Sequence, residues 1–220
     1  MTKQGRPLRA GLGREPPTAL LSLITDLIFV SVAVYLLLGY AWTLSYRSAN
    51  LLVVLREAFL VAYLLMALAF LAIRKSARAV TRRKRDYVYT IIGFSAPLLL
   101  QPARNGGPVY IAATLEFTGL AFVISAFLYL NRSFGLAPQN RGIKTAGVYR
   151  LVRHPMYLGY ILAEVGYVFD NVSNLNLLVL IVSVLFLVLR LRAEEHLLER
   201  DRLYRNYSRK TRWRLIPLLF

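Results

Sequence analysis

Apolar residues in this chain come in long runs, without the alternation of a half-buried strand or the single apolar stripe of a soluble helix. Leu20–Ala41, Leu51–Ile73, Val109–Leu130 and Leu175–Leu191 lie near the length of roughly 20 residues that a helix needs to cross a bilayer. Two shorter runs complete a set of six: Tyr87–Leu100, interrupted by Pro97, and Met156–Phe169, which His154 and Pro155 would lengthen. Pro155 suits the first position of a helix, where its missing N–H has no partner to lose. The pattern predicts an all-α fold, a polytopic membrane helical bundle of about six spans. No repeat is evident, and no polar segment is long enough to bury a core of its own. The expected organisation is one structural domain in three parts: an N-terminal tail over 1–19, membrane helices over 20–130 and a C-terminal region over 131–220. Beyond Leu191 the chain turns charged. Leu197, Leu198 and Leu203 interleave there with Glu199, Arg200, Asp201 and Arg202, which predicts an amphipathic helix.

Composition agrees with a membrane protein: 57% of the 220 residues are hydrophobic, and mean hydropathy is +0.49. A net charge of +17 alone would suggest nucleic acid as partner. The placement of the charges argues against it, because they lie between the apolar runs. Residues 1–20, 74–86, 131–155 and 190–220 carry four, seven, five and nine Lys or Arg, 25 of the 28. Arg47, Arg56 and Arg104 are the remainder. Cytoplasmic loops are the ones enriched in Lys and Arg, so this alternation fits six spans with both termini in the cytoplasm. Asn171–Asn174 is then a tight outer turn, and the last two spans form a helical hairpin. The first apolar run lacks a clear small-residue cleavage site and reads as a retained helix. The absence of cysteine excludes disulfides, thiolate metal sites and a cysteine nucleophile.

Two polar clusters stand beside the hairpin. One is Gly147–Gly159, with Tyr149, Arg150, Arg153, His154, Pro155, Met156 and Tyr157. The other runs from Arg190 through Glu194 and Glu195 to Tyr204 and Tyr207. Each residue has a plain alternative role. Arginines and tyrosines flank many membrane helices as anchors, Arg190 and Arg192 suit snorkelling at a helix end, and an acid pair commonly forms a solvated face. Those roles do not explain the order Arg-His-Pro-Met-Tyr, nor why both clusters fall at one end of the hairpin. Together they hold groups that match a sulfonium cofactor: Arg153, His154 or a helix N-terminus for a carboxylate, Glu194 or Glu195 for an ammonium or ribose, and tyrosines for adenine or sulfonium.

Tyr149-Arg150-Leu151-Val152-Arg153-His154-Pro155-Met156-Tyr157-Leu158-Gly159 resembles the RHPxYxG signature of the integral-membrane methyltransferases. That superfamily includes isoprenylcysteine carboxyl methyltransferases and phospholipid N-methyltransferases. Glu194-Glu195-His196-Leu197-Leu198, followed by Tyr204, Tyr207 and Pro217, is similar to the second half of the same pattern. The resemblance covers about 131–217. It implies S-adenosylmethionine as cofactor, held by Arg141, Gly142, Ile143 and Lys144, by Tyr149, by His154, Pro155, Met156 and Tyr157, and by Glu194. It places Arg190, one helical turn before the Glu, beside the methyl acceptor. The implied acceptor is lipophilic, such as an isoprenylcysteine-like carboxylate or a lipid.

Two other classes fit parts of the pattern. Sterol reductases of the membrane are similar in their C-terminal region and use NADPH, and a non-enzymatic lipid-binding protein would need neither cofactor. Gly11-Leu12-Gly13 is half of a dinucleotide loop whose third glycine would fall at Pro16, and no strand precedes it. Two histidines without tight ligand spacing give no metal site. Asp26, Glu116 and Glu164 fall within or near spans, where acids are costly and face protein or water. Glu164 stands out, since helical spacing puts it on the face of His154 and Tyr157. The basic loop Arg74–Arg85 reads as an orientation signal in contact with anionic lipid. A chain of this kind suits a prokaryotic cytoplasmic membrane, with the active site facing the cytoplasm.

Overall fold

The computed structural model describes residues 18–46, 51–103 and 106–217. Most of the polar N-terminal tail, with Gly11–Gly13, and the loop residues Arg47 and Arg104 lie outside the described residues. Among the described residues the apolar runs all become helices: α1 (Thr18–Tyr46), α2 (Leu51–Ile73), α3 (Lys84–Ser95), α4 (Val109–Leu130), α5 (Pro155–Asp170) and α6 (Asn174–Leu198). A polar seventh, α7 (Arg202–Lys210), follows. Among the described residues three segments are long and apolar enough to cross a membrane: Leu20–Gly39, Val109–Ser133 and Asn174–Leu198. Ala58–Ile73 is a shorter apolar stretch. The run over Tyr87–Leu100 starts earlier than its apolar pattern, at Lys84, and its α-helix stops at Ser95. A 3₁₀ turn over Ala96–Leu99 takes over, with Pro97 in its first turn, because a proline ring clashes with the carbonyl four residues back in an α-helix. At 16 residues, α5 is about 24 Å long.

The tightest seam runs between α4 and α5, and glycine makes it possible. A Cβ on Gly119 would come within 2.5 Å of the Gly159 carbonyl oxygen, and one on Gly159 would come equally close to the carbonyl of Gly119. Gly166 faces the Ala112 carbonyl in the same way, at 2.7 Å. Small residues let backbones approach where no aqueous driving force presses helices together. Around this seam the core centres on Phe127, which is fully buried between Phe70 and Phe134, with ring centroids 6.0 and 4.6 Å away.

The hairpin forms as the sequence predicts. α5 ends at Asp170, and α6 starts after Ser173, whose Oγ accepts from the Asn176 N–H. The charged tail departs from expectation. α6 runs on to Leu198, and α7 restarts beyond Asp201, whose carboxylate caps the Leu203 N–H at 2.9 Å. In α7 the buried positions are Tyr204 and Tyr207, while Leu203 is exposed. Two further pieces fix the loops at this end. Strands β1 (Ala79–Val80) and β2 (Gln139–Asn140) pair antiparallel, with Ala79 opposite Asn140. Asp26 of α1 is held by the Arg74 guanidinium at the end of α2.

Gly159→Val should force α4 and α5 apart and lower stability by about 1–3 kcal/mol. A thermal melt in detergent reads this directly, and Gly39→Ala, where the new Cβ meets nothing within 4 Å, should not lower the melting temperature.

Candidate functional site

At the end of the bundle where α4 stops and α5 begins, the chain from Leu130 to Tyr157 folds into a wall facing the last turns of α6 and the inner face of α7. The sequence sets this up locally. His154 is the residue before the helix, with φ −126° and ψ 62°, and Pro155 is the first helical residue, as its spacing predicts. Gly147 has φ +59°, and a Cβ there would overlap the Tyr129 ring, so glycine alone lets the 3₁₀ turn Gly147–Arg150 sit against α4. Gly142, at φ +107°, turns the loop after β2 and donates its N–H to the Asn140 side chain at 2.9 Å.

The resulting cleft, about 90 Å³, is lined by Arg141, Gly142, Ile143, Lys144, Tyr149, Arg153, His154, Met156, Tyr157, Arg190 and Glu194. The structure therefore brings together nearly every residue that the two motifs nominate. Two of them stand elsewhere: Pro155 is buried in the first turn of α5, and Glu195 lies behind the wall. The adjacent glutamates diverge because neighbouring helical positions face different directions. Glu194 turns to the cleft, where its Oε2 accepts from the Tyr157 hydroxyl at 2.6 Å. Glu195 turns inward and is 3% exposed.

Glu195 is fully engaged. Its Oε1 accepts from Arg153 Nη1 at 2.6 Å and from the Tyr204 hydroxyl at 3.0 Å, with His154 Nε2 at 3.4 Å. Its Oε2 accepts from Arg214 Nε at 2.5 Å. A carboxylate offers about four acceptor positions, and these contacts commit Glu195 chiefly to its own chain. The carboxylate that Arg153 and His154 hold is thus one of the protein's own. The hydrogen bond to Glu195 is also what pushes the Arg214 guanidinium up most. Backbone pairing reinforces the join, as the N–H groups of Arg153 and His154 donate to the carbonyls of Trp213 and Arg214, each at 2.9 Å.

The cleft itself keeps unused donors. Gln139 Nε2, Arg141 Nε, Arg153 Nε and Arg190 Nε are buried without a hydrogen-bond partner, and all four residues line it. Buried donors normally find acceptors, so the cleft is built for an acceptor-rich ligand. Burial brings the Arg141 guanidinium down to about 10, which leaves it cationic at neutral pH. Burial also pushes the phenols of Tyr149, Tyr204 and Tyr207 above their ordinary value, so all three stay neutral. Arg190 is 8% exposed, lies over the Tyr157 ring at 5.1 Å and donates from Nη2 to the Leu136 carbonyl at 2.6 Å.

Behind Arg190 lies a second cavity of about 450 Å³, mostly apolar, between α1, α2, α3, α4, α5 and α6. Arg190 and Phe134 line both spaces. The exposed Tyr35 and Leu98 stand on the large cavity's wall, on the flank between α1 and the 3₁₀ turn.

Residues 108–206 match the model of the phospholipid methyltransferase family. That family belongs to the integral-membrane methyltransferase group. Neither the curated proteins nor the solved structures gave a match. The matched span contains the whole lining of the cleft except Tyr207, and both signature clusters. The family is one of membrane-associated methyltransferases acting on lipid, in keeping with the three helices among the described residues that are long and apolar enough to cross a membrane.

Sequence reasoning missed the first half of the wall. Ser133, Phe134, Gly135, Ala137 and Gln139 line the cleft ahead of Arg141. The signal was available in the polar, glycine-bearing and proline-bearing stretch after Leu130. It also missed Arg214, which only its contact with Glu195 reveals.

Glu195→Ala should destabilise the protein by about 3–5 kcal/mol, the range for breaking a buried ion pair from one side. It should also free the segment after Asp201 to proteolysis; Arg214→Ala, which leaves Arg153 on the carboxylate, should cost less in the same melt and digest.

Proposed function

We propose that the protein is a membrane-embedded methyltransferase that uses S-adenosylmethionine and acts on a lipophilic acceptor with an anionic head. Residues 131–220 hold the cofactor, and 20–130 form most of the acceptor's chamber. The observation that carries this reading is the shared position of Arg190, at the junction of a polar cleft and a large apolar cavity. A methyl donor and a lipid need such a meeting point between two unlike environments.

Among the cleft's cations, the Lys144 ammonium and the Arg141 guanidinium suit the cofactor's carboxylate, since Arg153 is committed to Glu195. Glu194, the one carboxylate among the described residues on the lining, suits the cofactor's ammonium or ribose hydroxyls. The neutral rings of Tyr149, Tyr204 and Tyr207 offer faces to adenine or to a sulfonium. The cofactor supplies a methyl on a sulfonium, which an acceptor lone pair displaces in line as the S–C electrons return to sulfur. Arg190 would hold the acceptor's anion with its forked donors, Nε included. An anion already carries a free lone pair and needs no base, so positioning is the main task of the site. The spacing of the basic blocks supports a six-span layout with both termini and the cleft on the cytoplasmic side.

Calorimetry with S-adenosylhomocysteine tests the cofactor. Wild type should bind, and Glu194→Ala should weaken binding at least about tenfold, the effect of losing one charged hydrogen bond. Arg190→Ala should keep that binding and lose about 100-fold in methyl transfer from labelled cofactor to lipid extract, since it removes only acceptor positioning. A folded wild type that binds NADPH and not S-adenosylhomocysteine would overturn the reading in favour of a reductase.

A further inference from the structure

Two phenols meet on the wall of the large cavity. Tyr63 of α2 and Tyr160 of α5 both line it, as does Arg190. The Tyr63 hydroxyl donates to the Tyr160 hydroxyl at 3.3 Å, and the rings meet edge to face with centroids 6.0 Å apart. Two hydroxyls carry two O–H protons, and one hydrogen bond between them uses only one. With Tyr63 as donor the spare proton is on Tyr160, and among the described residues nothing accepts it. A hydroxyl that already accepts a hydrogen bond is polarised into a better donor. Tyr160 stands about one turn beyond Tyr157 on α5, and the Tyr157 ring centroid lies 5.1 Å from the Arg190 guanidinium carbon. Tyr160 also packs against the cluster of Tyr157, Leu187 and Leu191, and Leu187 precedes Arg190 by less than one turn of α6. Both phenols are near enough to Arg190 to interact with its charge. Arg190 itself spends Nη2 on the Leu136 carbonyl and leaves Nε without a partner.

An O–H turned into a mostly apolar chamber is costly unless something accepts it. Tying α2 to α5 accounts for the bond between the phenols and not for the donor left over. We infer that the Tyr160 hydroxyl, steadied by Tyr63, is a second donor to the acceptor's anionic head, meeting it from α5 as Arg190 meets it from α6. This deepens the methyltransferase reading and rests on it for the chamber's role as acceptor site. One donor fixes where a head sits and leaves it free to swing, whereas two from different helices also fix which lone pair faces the methyl. The transfer needs no proton from either phenol: the lone pair forms the new bond to carbon, and the S–C electrons return to sulfur. Tyr160 is thus a binding group that orients the acceptor, and Tyr63 is a positioning residue that acts through it.

The probes are octanoate and octanol, an anionic and a neutral head on one chain length. Each is titrated into the full-length protein in maltoside detergent, with and without S-adenosylhomocysteine, and affinity is read by calorimetry. Tyr160→Phe, which removes the hydroxyl and keeps the ring, should weaken octanoate about tenfold, the effect of losing one charge-assisted hydrogen bond, and octanol less than about threefold. Its affinity for S-adenosylhomocysteine should stay at the wild-type value, which also shows that the variant folds. Tyr63→Phe should weaken octanoate about threefold, because Tyr160 then loses the bond that polarises it. The double variant should be no weaker than Tyr160→Phe alone, since Tyr63 acts only through Tyr160. No octanoate binding by wild type, an octanoate affinity that survives Tyr160→Phe, an equal loss for octanol, or additive losses in the double variant would each overturn the proposal. The expected octanoate losses in a folded protein that does not bind S-adenosylhomocysteine would instead sink the methyltransferase reading and leave Tyr160 standing as a ligand of the anionic head.

Discussion

A single buried carboxylate holds this end of the molecule together. Glu195 gathers Arg153 and His154 from the entry to α5, Tyr204 from α7 and Arg214 from the C-terminal segment. These pieces come from separate segments of the chain, and apolar packing joins them too, as Tyr204 and Tyr207 share a core cluster with Tyr149 and Met156, and Leu215 shares one with Tyr157 and Leu191. A buried charge without partners is strongly unfavourable, and with four partners it becomes a fixed point. The direction of α7, the inward turn of Tyr204 and Tyr207, and the closure of the cleft all follow from it. Tyr207 adds a second tie by donating to the Tyr149 carbonyl at 2.6 Å.

The neighbouring Glu194 shows why one acid can be structural and the next available to a ligand. Both sit on the last turns of α6 with about 100° between their side chains. Glu194 meets one phenol and open space, whereas Glu195 meets two guanidiniums, a phenol and an imidazole. Glu-Glu is thus two instructions, one for the fold and one for the site. Tyr157 links the two sets of contacts. Its hydroxyl holds Glu194, and its ring lies under Arg190, so a single side chain aligns residues on both sides of the boundary between the spaces.

Much of this was legible in the chain. Unbroken apolar runs gave the helices, and Pro155 marked the start of α5 to the residue. The two motifs named most of the cleft lining, because the hairpin returns both to one end of the bundle. The missing parts had physical reasons. Helix α3 starts before its apolar run because charged residues are compatible with a first turn, and apolar periodicity does not register them. The exposed Leu203 misled because tyrosines, amphipathic themselves, took the buried side of α7. Which glutamate faces the cleft depends on the rotational phase of α6, which packing sets. The chamber behind Arg190 assembles from six helices, and no local spacing announces it.

The glycine contact between α4 and α5 makes the molecule mechanically one-sided. Two backbones touching at Gly119 and Gly159 have no side chains between them to rearrange, so that seam acts as a stiff spine. The opposite flank, with α1 and the 3₁₀ turn, meets the chamber through exposed Tyr35 and Leu98 and has no such lock among the described residues. Change in this protein, whether thermal breathing or substitution over generations, is therefore channelled to the flank. The spine and the polar end can stay constant while the chamber's front is remodelled, so the width of the chamber's mouth is free to vary without disturbing the seam behind it.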